Sequence, residues 1–193
     1  ATWLAPYATA HMARIGTTRE QLGAIAITAR ANALRAAWSV RPEQITMDDY
    51  LAARPIATPL HLLDCDVPVD GSVAIVVSAA DTAADRLHPP VRFEALGAGA
   101  GFPPSWDQWP DLTTMAAHGA AASMWARTDL TAADLDLAQV YDGFSFLALF
   151  WLEALGVCGH GDGGPFVEGG TRIALDGDLP INTAGGQLSG GRL

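Results

Sequence analysis

Leu179-Pro180-Ile181-Asn182-Thr183-Ala184-Gly185-Gly186 is the stretch on which the fold turns. A short apolar run with a proline near its start reads as a strand. The strand delivers the chain into paired glycines, and Gln187-Leu188-Ser189-Gly190-Gly191-Arg192-Leu193 continues the Gly-rich segment. Glycine lets a backbone turn sharply and bring its N–H groups close to an anion. The segment has no GxGxxG pattern, and the chain has no lysine, so a nucleotide loop is a poor reading. The junction predicts flexible backbone whose N–H groups face an oxyanion.

A second junction stands upstream. Leu137 to Tyr141 reads as a short strand and Gly143 to Leu155 as a helix stopped by Gly156. Tyr141-Asp142 falls between them, at a strand–helix junction where α/β enzymes commonly build their sites. Asp142 orients a partner there, or it is an ordinary helix N-cap beside a strand-end tyrosine.

The rest of the chain alternates helices and strands. Pro6 to Gly16 predicts a helix, with Tyr7, His11 and Met12 near one face. Thr17 stands three residues before Glu20, the capping-box spacing, ahead of a helix over Gln21 to Trp38. Thr46 to Leu51 predicts a small capped helix, ended by Pro55 and Pro59. Val73 to Ser78 is a continuous β-branched run, predicted as a strand buried on both faces, and Val91 to Gly97 as a second strand. Met115 to Arg127 predicts a small-residue helix that packs closely. Thr131 to Asp134 repeats the capping spacing, and Gly159 to Gly170 reads as a Gly-rich loop. The pattern is that of an α/β layered domain.

Composition sets limits. The chain has 193 residues, half of them hydrophobic, enough for a sizeable core. Its longest apolar stretch, Phe144 to Leu155, is too short for a membrane span and carries Glu153. The net charge of -10 argues against nucleic acid as a partner. All eleven cationic residues are arginine, which excludes Schiff-base and P-loop lysine chemistry within the chain. Cys65 and Cys158 make no disulfide framework, so a reducing cytoplasm is expected. Cys158, His160 and Asp162 lie close together but lack the second ligand cluster a zinc site needs, and a loop explains them better. His118, among alanines, reads as a packed or surface histidine.

Three further segments carry a resemblance. Arg14-Ile15-Gly16-Thr17-Thr18-Arg19-Glu20-Gln21-Leu22, then Ile56 to Cys65, then Asp70-Gly71-Ser72-Val73-Ala74 resemble the sterol-carrier-protein-x branch of the thiolase superfamily. The resemblance covers essentially the whole chain. It implies a thiolase-like layered α-β-α-β-α fold, incomplete at both ends. Residues 1–80 would end the N-terminal half and 81–193 form most of the C-terminal half.

The chain departs from working thiolases at the places that matter for acyl transfer. Neither cysteine occupies the nucleophile motif. Tyr141-Asp142 stands where thiolases carry Asn-Glu or His-Asp, and Arg192 where they carry the histidine of Gly-His-Pro. This pattern resembles the lipid-transfer-protein aldolases of steroid side-chain degradation. The resemblance implies retro-aldol cleavage of a β-hydroxyacyl-CoA to a ketone and a shorter acyl-CoA. Retro-aldol chemistry makes Tyr141 the candidate base or acid, with Asp142 holding it. Asn182, Gly185, Gly186, Ser189 and Arg192 would contact substrate. No metal and no cofactor beyond the coenzyme A thioester are expected. The implied partners are an OB-fold, DUF35-type protein and a second copy of the chain. Two other readings stay open: a 3-ketoacyl-CoA thiolase with its cysteine upstream, and a noncatalytic acyl-CoA-binding subunit.

Overall fold

The computed structural model describes residues 1–79, 81–82, 88–101 and 109–193. Its centre is a helix buried over two thirds of its residues. α1 (Ala5–Ile15) leads through Gly16 into α2 (Arg19–Ala33), which buries ten of its fifteen residues. α3 (Met47–Ala52), α5 (Ser145–Leu155), α6 (Gly163–Val167) and the turn Gly186–Gly190 all pack against α2. Its alanines let these neighbours come close. α5 is apolar on every side, and Phe146, Leu147, Ala148, Leu149, Phe150 and Leu152 are buried. Such a helix belongs inside a core rather than on its surface.

The predicted helices form, with local shifts. α2 is capped by Thr18 and Gln21, one residue later than the spacing of Thr17 and Glu20 predicts. The Thr18 hydroxyl accepts from the Gln21 N–H at 3.3 Å, and Gln21 Oε1 accepts from the Thr18 N–H at 3.0 Å. Thr17 is unavailable because it is buried and its hydroxyl pairs with His11 Nδ1 at 2.8 Å. The helix ends at Ala33, not Trp38, where Arg35 and Ala36 bond back three residues to Asn32 and Ala33. The box at Thr46 and Asp49 forms as predicted. Within the predicted Gly159–Gly170 loop the chain makes the short helix α6. From Pro55 to His61 the chain makes a small antiparallel hairpin, β1 (Pro55–Ala57) with β2 (Leu60–His61).

The strand expectations fare differently. Val73–Ser78 and Val91–Gly97 form no strand among the described residues. Val73, Ile75, Val76, Val91 and Phe93 are all more than 70% exposed. A strand exists only through a paired neighbour, and none lies beside these runs among the described residues. Leu137–Tyr141 and Leu179–Asn182 do lie side by side and parallel, but their pairing is a single bridge, Ala138 to Ile181. The Ala138 N–H donates to Pro180 O at 2.9 Å and the Asn182 N–H to Ala138 O at 3.0 Å.

α4 (Ala116–Trp125) packs mainly on α5. Its other neighbour is the extended segment Gly97–Gly101. A Cβ on Gly99 would lie 2.5 Å from both Ala116 O and the Ala120 nitrogen, and one on Gly97 2.5 Å from the Met124 nitrogen. Glycine at every second position of an extended chain thus matches every fourth position of a helix, and the two backbones nearly touch.

Candidate active site

The two junctions singled out in the sequence meet. The Asp142 carboxylate is buried and accepts the Gln187 N–H at 2.7 Å and, at a longer 3.5 Å, the Leu188 N–H. These are the first N–H groups of the turn Gly186–Gly190. The Gly-rich backbone does face an anion, and that anion is the chain's own carboxylate. Burial pushes the Asp142 carboxyl up, while the N–H groups of Gln187 and Leu188 and the nearby Asn182 amide pull the other way. Asp142 is not the N-cap of α5; that position is Phe144, with no side-chain bond.

Asn182 locks the pair of junctions. It is buried and adopts φ 44°, a left-handed backbone that asparagine tolerates better than most residues. Its Oδ1 accepts the Val140 N–H at 2.8 Å, replacing the next ladder bond of the short parallel pair. Its backbone oxygen accepts from Gly185 at 2.8 Å, and Asn32 on α2 donates to the Ile181 and Asn182 carbonyls at 3.0 and 3.3 Å.

The remaining residues of the turn are placed as follows. A Cβ on Gly185 would stand 2.7 Å from the Ala33 Cβ and 3.0 Å from Ala29 O, so Gly185 sits flush on α2. Gly186 faces Asp142. Ser189 is fully buried; its carbonyl accepts from Ser39 Oγ at 2.8 Å and the Arg41 N–H at 3.0 Å, and its own hydroxyl has no hydrogen-bond partner among the described residues. Arg192 is half exposed and pairs with Asp66 at 2.5 Å. Its backbone bonds to Val67 and Val69.

Tyr141 goes elsewhere. It is 43% exposed, its ring folded over Gly143, and no hydrogen bond among the described residues joins it to Asp142. It lines a cleft of about 370 Å³ walled by Tyr7, Trp109, Met115 and Trp151, with Gly99 and Ala116 among its floor residues. A cleft of this size and lining is suited to an apolar ligand, and of the two tyrosines that line it Tyr141 is the accessible one.

Sequence reasoning missed two buried polar clusters. Asp64 accepts from Tyr50 Oη, from Ser145 Oγ at 2.6 Å and from the His61 N–H at 2.7 Å. Burial and the adjacent Asp64 push the Tyr50 hydroxyl up, so it stays a donor. The second cluster surrounds Glu153, which His11 Nε2 approaches at 3.5 Å and His160 Nδ1 at 3.2 Å. One acid in an otherwise apolar helix was its only signal in the sequence. His118, on α4, sits at that helix's first turn and accepts the Met115 N–H at 3.3 Å. Both cysteines are free, and burial raises both thiols, Cys158 to about 12 beside Glu153 and Asp162.

Residues 103–192 match the family described as thiolase C-terminal domain-like. The chain is 39% identical to a 17-hydroxy-3-oxo-4-pregnene-20-carboxyl-CoA lyase of Mycobacterium tuberculosis, over 97% of this chain and 50% of the relative. It is 35% identical to a steroid side-chain-cleaving aldolase of Thermomonospora curvata (97% and 49%). It is equally similar, at 35%, to an acetyl-CoA acetyltransferase of Methanothermobacter thermautotrophicus (91% and 46%). A solved Ltp2-ChsH2(DUF35) aldolase superposes with a TM-score of 0.92 at 32% identity, over 98% of this chain and 50% of that one. The chain spans about half the length of the curated relatives it matches.

Proposed function

Because the chain belongs to the thiolase superfamily, we propose that it carries part of the active site of an aldolase cleaving a β-hydroxyacyl-CoA, with steroid side-chain thioesters as the substrate class. The observation that carries this reading is Tyr141: an accessible phenol at an apolar cleft, in a chain similar to two lyases of that chemistry. Residues 1–80 end the first thiolase half and 81–193 form most of the second.

Retro-aldol cleavage needs a proton taken from the β-hydroxyl and a place for the electrons released. In this proposal Tyr141 acts as its phenolate: the deprotonated oxygen takes that proton as the bond between the α and β carbons breaks, and the hydroxyl so formed returns a proton to the α carbon, directly or through water. The β carbon leaves as a ketone. The electron pair passes into the thioester as an enolate, and protonation of the α carbon completes the shorter acyl-CoA. The step consumes no oxidant, and the thioester itself serves as electron sink, so no cofactor is required. Neither thiol of this chain suits nucleophilic attack, since burial disfavours both thiolates.

Asp142 acts by holding the Gly186–Gly190 turn, with Asn182, Gly185, Gly186 and Ser189 shaping it. Arg192, half exposed, is the candidate for a coenzyme A phosphate. The DUF35 component of the solved aldolase supports a DUF35-type partner, which this reading takes to be an OB-fold protein; a second copy of the chain is the other partner that the reading carries. The free cysteines accord with a cytoplasmic setting, and among the described residues no helix is long and apolar enough to cross a membrane.

A thiolase-type acyltransferase is the second reading, favoured by the 35% identity to an acetyl-CoA acetyltransferase. One assay separates them. Full-length protein with its partner should release ketone from a β-hydroxyacyl-CoA without free coenzyme A, and Tyr141→Phe should abolish that release with the fold intact. Full activity of Tyr141→Phe removes Tyr141 from the mechanism. Turnover only of 3-ketoacyl-CoA, and only with free coenzyme A, establishes the acyltransferase instead.

A further inference from the structure

Every described residue that lines the Tyr141 cleft is an aromatic, a methionine, an alanine or a glycine. None of them carries a charge, and none is a branched aliphatic. The small residues come from two elements. Gly99, Ala100 and Gly101 belong to the extended segment, and Ala116, Ala117 and Ala120 to α4. Together they make a floor whose side chains reach no further than Cβ.

The floor stays low for a backbone reason. Ala120 turns backbone atoms toward the extended segment: a Cβ on Gly99 would lie 2.5 Å from the Ala120 nitrogen, and one on Gly97 would overlap the Ala120 carbonyl oxygen. The segment therefore lies against α4 itself, with no room for a side chain between them. Of the three helix residues, Ala117 is buried and Ala116 is the first residue of α4, beside Met115. Ala120 lies in the middle of α4, next to both glycines, and is half-buried. A longer side chain at residue 120 has the cleft to extend into.

Two of the aromatic walls also rest on glycine. The Trp109 ring fills the space that a Cβ on Gly101 would take: such a Cβ would overlap Cζ3 and lie 2.5 Å from Cη2 and 2.7 Å from Cε3. Trp109 Nε1 donates to Thr114 Oγ1 at 3.1 Å, which fixes the ring from its other side. The Tyr141 ring likewise fills the space over Gly143, with Cζ 2.7 Å from where a Cβ would stand.

A cleft of about 370 Å³ with a low floor and seated aromatic walls is preorganised for a rigid apolar ligand. Rigid and flexible ligands differ there in two respects. A fused-ring ligand has no rotors to freeze, whereas a linear chain loses freedom at each bond. A fused-ring ligand also needs the floor clear along its length, whereas a linear chain bends past an obstruction. We propose that Ala120 is the specificity-determining residue of the cleft, and that the clearance it leaves beside Trp109 selects a rigid fused-ring group over a linear chain. The preference comes from the lining; its assignment to the part of a β-hydroxyacyl-CoA that leaves as ketone rests on the function proposed above.

The test uses full-length protein with its partner and two thioesters that lack the β-hydroxyl, so that they bind and are not cleaved. One is 3-oxo-4-pregnene-20-carboxyl-CoA and the other is tetradecanoyl-CoA, an unbranched chain. Calorimetry gives both Kd values. The wild type should bind the steroid thioester more tightly. Ala120→Leu keeps a strong helix former at the position. It should weaken the steroid thioester by about tenfold or more, the effect of overfilling a packed site, and change tetradecanoyl-CoA by less than about threefold. Retained binding of the linear thioester also shows that the variant is folded. Ala120→Ser, nearly the size of alanine, should keep the wild-type preference. Equal losses for both ligands in Ala120→Leu, or no loss for either, overturn the role of Ala120. A wild type that binds the two equally well overturns the selection of rings. These outcomes leave the acyl-CoA reading standing, and ketone release in the Tyr141→Phe assay decides that reading separately. A wild type that binds neither thioester overturns both.

Discussion

A Cβ on Gly186 would lie 2.6 Å from the Asp142 Cγ and overlap its Oδ2 outright. The carboxylate and the glycine are therefore one device: the turn closes only because residue 186 has no side chain. Gly186 also has φ 57°, where an alanine is strained. Gly186→Ala should lower the stability of the full-length protein by about 2–4 kcal/mol, combining backbone strain and overpacking. Chemical denaturation measures it. A change below about 0.5 kcal/mol, the size of a neutral surface substitution, would show that the turn is not tied to Asp142 in this way.

Asp142 also carries a pH signature. Burial raises its carboxyl in the fold above the unfolded value of about 3.9. The folded state then binds the proton more tightly, so this group's contribution falls as pH rises from that unfolded value through the raised folded value, and stays level above it. Asp142→Asn cannot titrate. The stability difference, wild type minus Asp142→Asn, should therefore decline over that window and be flat at higher pH. Denaturation midpoints at half-unit steps upward from pH 3.5 measure it. A difference that grows with pH would mean that the N–H bonds of Gln187 and Leu188 outweigh burial.

The helices were legible because their determinants are local. Pro6 opens α1, Gly16 and Gly156 stop helices in left-handed geometry, and the Thr46–Asp49 box lies within four residues. The Thr17 error shows the limit of that reading. Two adjacent threonines fit one cap, and the choice between them was made by His11, which pairs with Thr17 from the preceding helix. Val73–Ser78 failed for the opposite reason, since a β-branched run states a need for burial and says nothing of what supplies it. At the site, the meeting of Asp142 with Gln187 spans 45 residues and that of Asn182 with Val140 spans 42. Residue type marked each junction as a candidate site; only the tertiary structure shows that Asp142 holds the turn while Tyr141 lines the cleft.

Gly143 offers a way to move Tyr141 without removing it. A Cβ at residue 143 would stand 2.7 Å from Tyr141 Cζ and collide with its hydroxyl. The colliding group is the free end of a half-exposed side chain, so the fold gives way cheaply by swinging the ring. Gly143→Ala should leave the unfolding midpoint within about 0.5 kcal/mol of wild type while lowering kcat by about 100-fold, the cost of displacing a reacting group by roughly an ångström. Equal kcat for the two proteins would mean that the phenol's position, and with it the acid–base role of Tyr141, is immaterial.

Two glycines that face each other should respond with opposite signs. Gly119 lies inside α4, and a Cβ there meets only the Gly99 Cα, at an ordinary 3.8 Å. Gly119→Ala removes unfolded-state freedom and adds no clash, so it should stabilise by about 0.5–1 kcal/mol. Gly99 stands across from it with backbone atoms of Ala116 and Ala120 2.5 Å from where its Cβ would be, and backbone cannot rotate aside as a side chain does. Gly99→Ala should destabilise by about 1–3 kcal/mol, and by separating segment 97–101 from α4 it should also weaken ligand binding in the cleft that both border. Thermal unfolding of the two variants beside wild type gives the signs directly. If Gly99→Ala is neutral, the close approach of the extended segment to α4 is not a feature of the folded protein, and the cleft floor must be drawn without it.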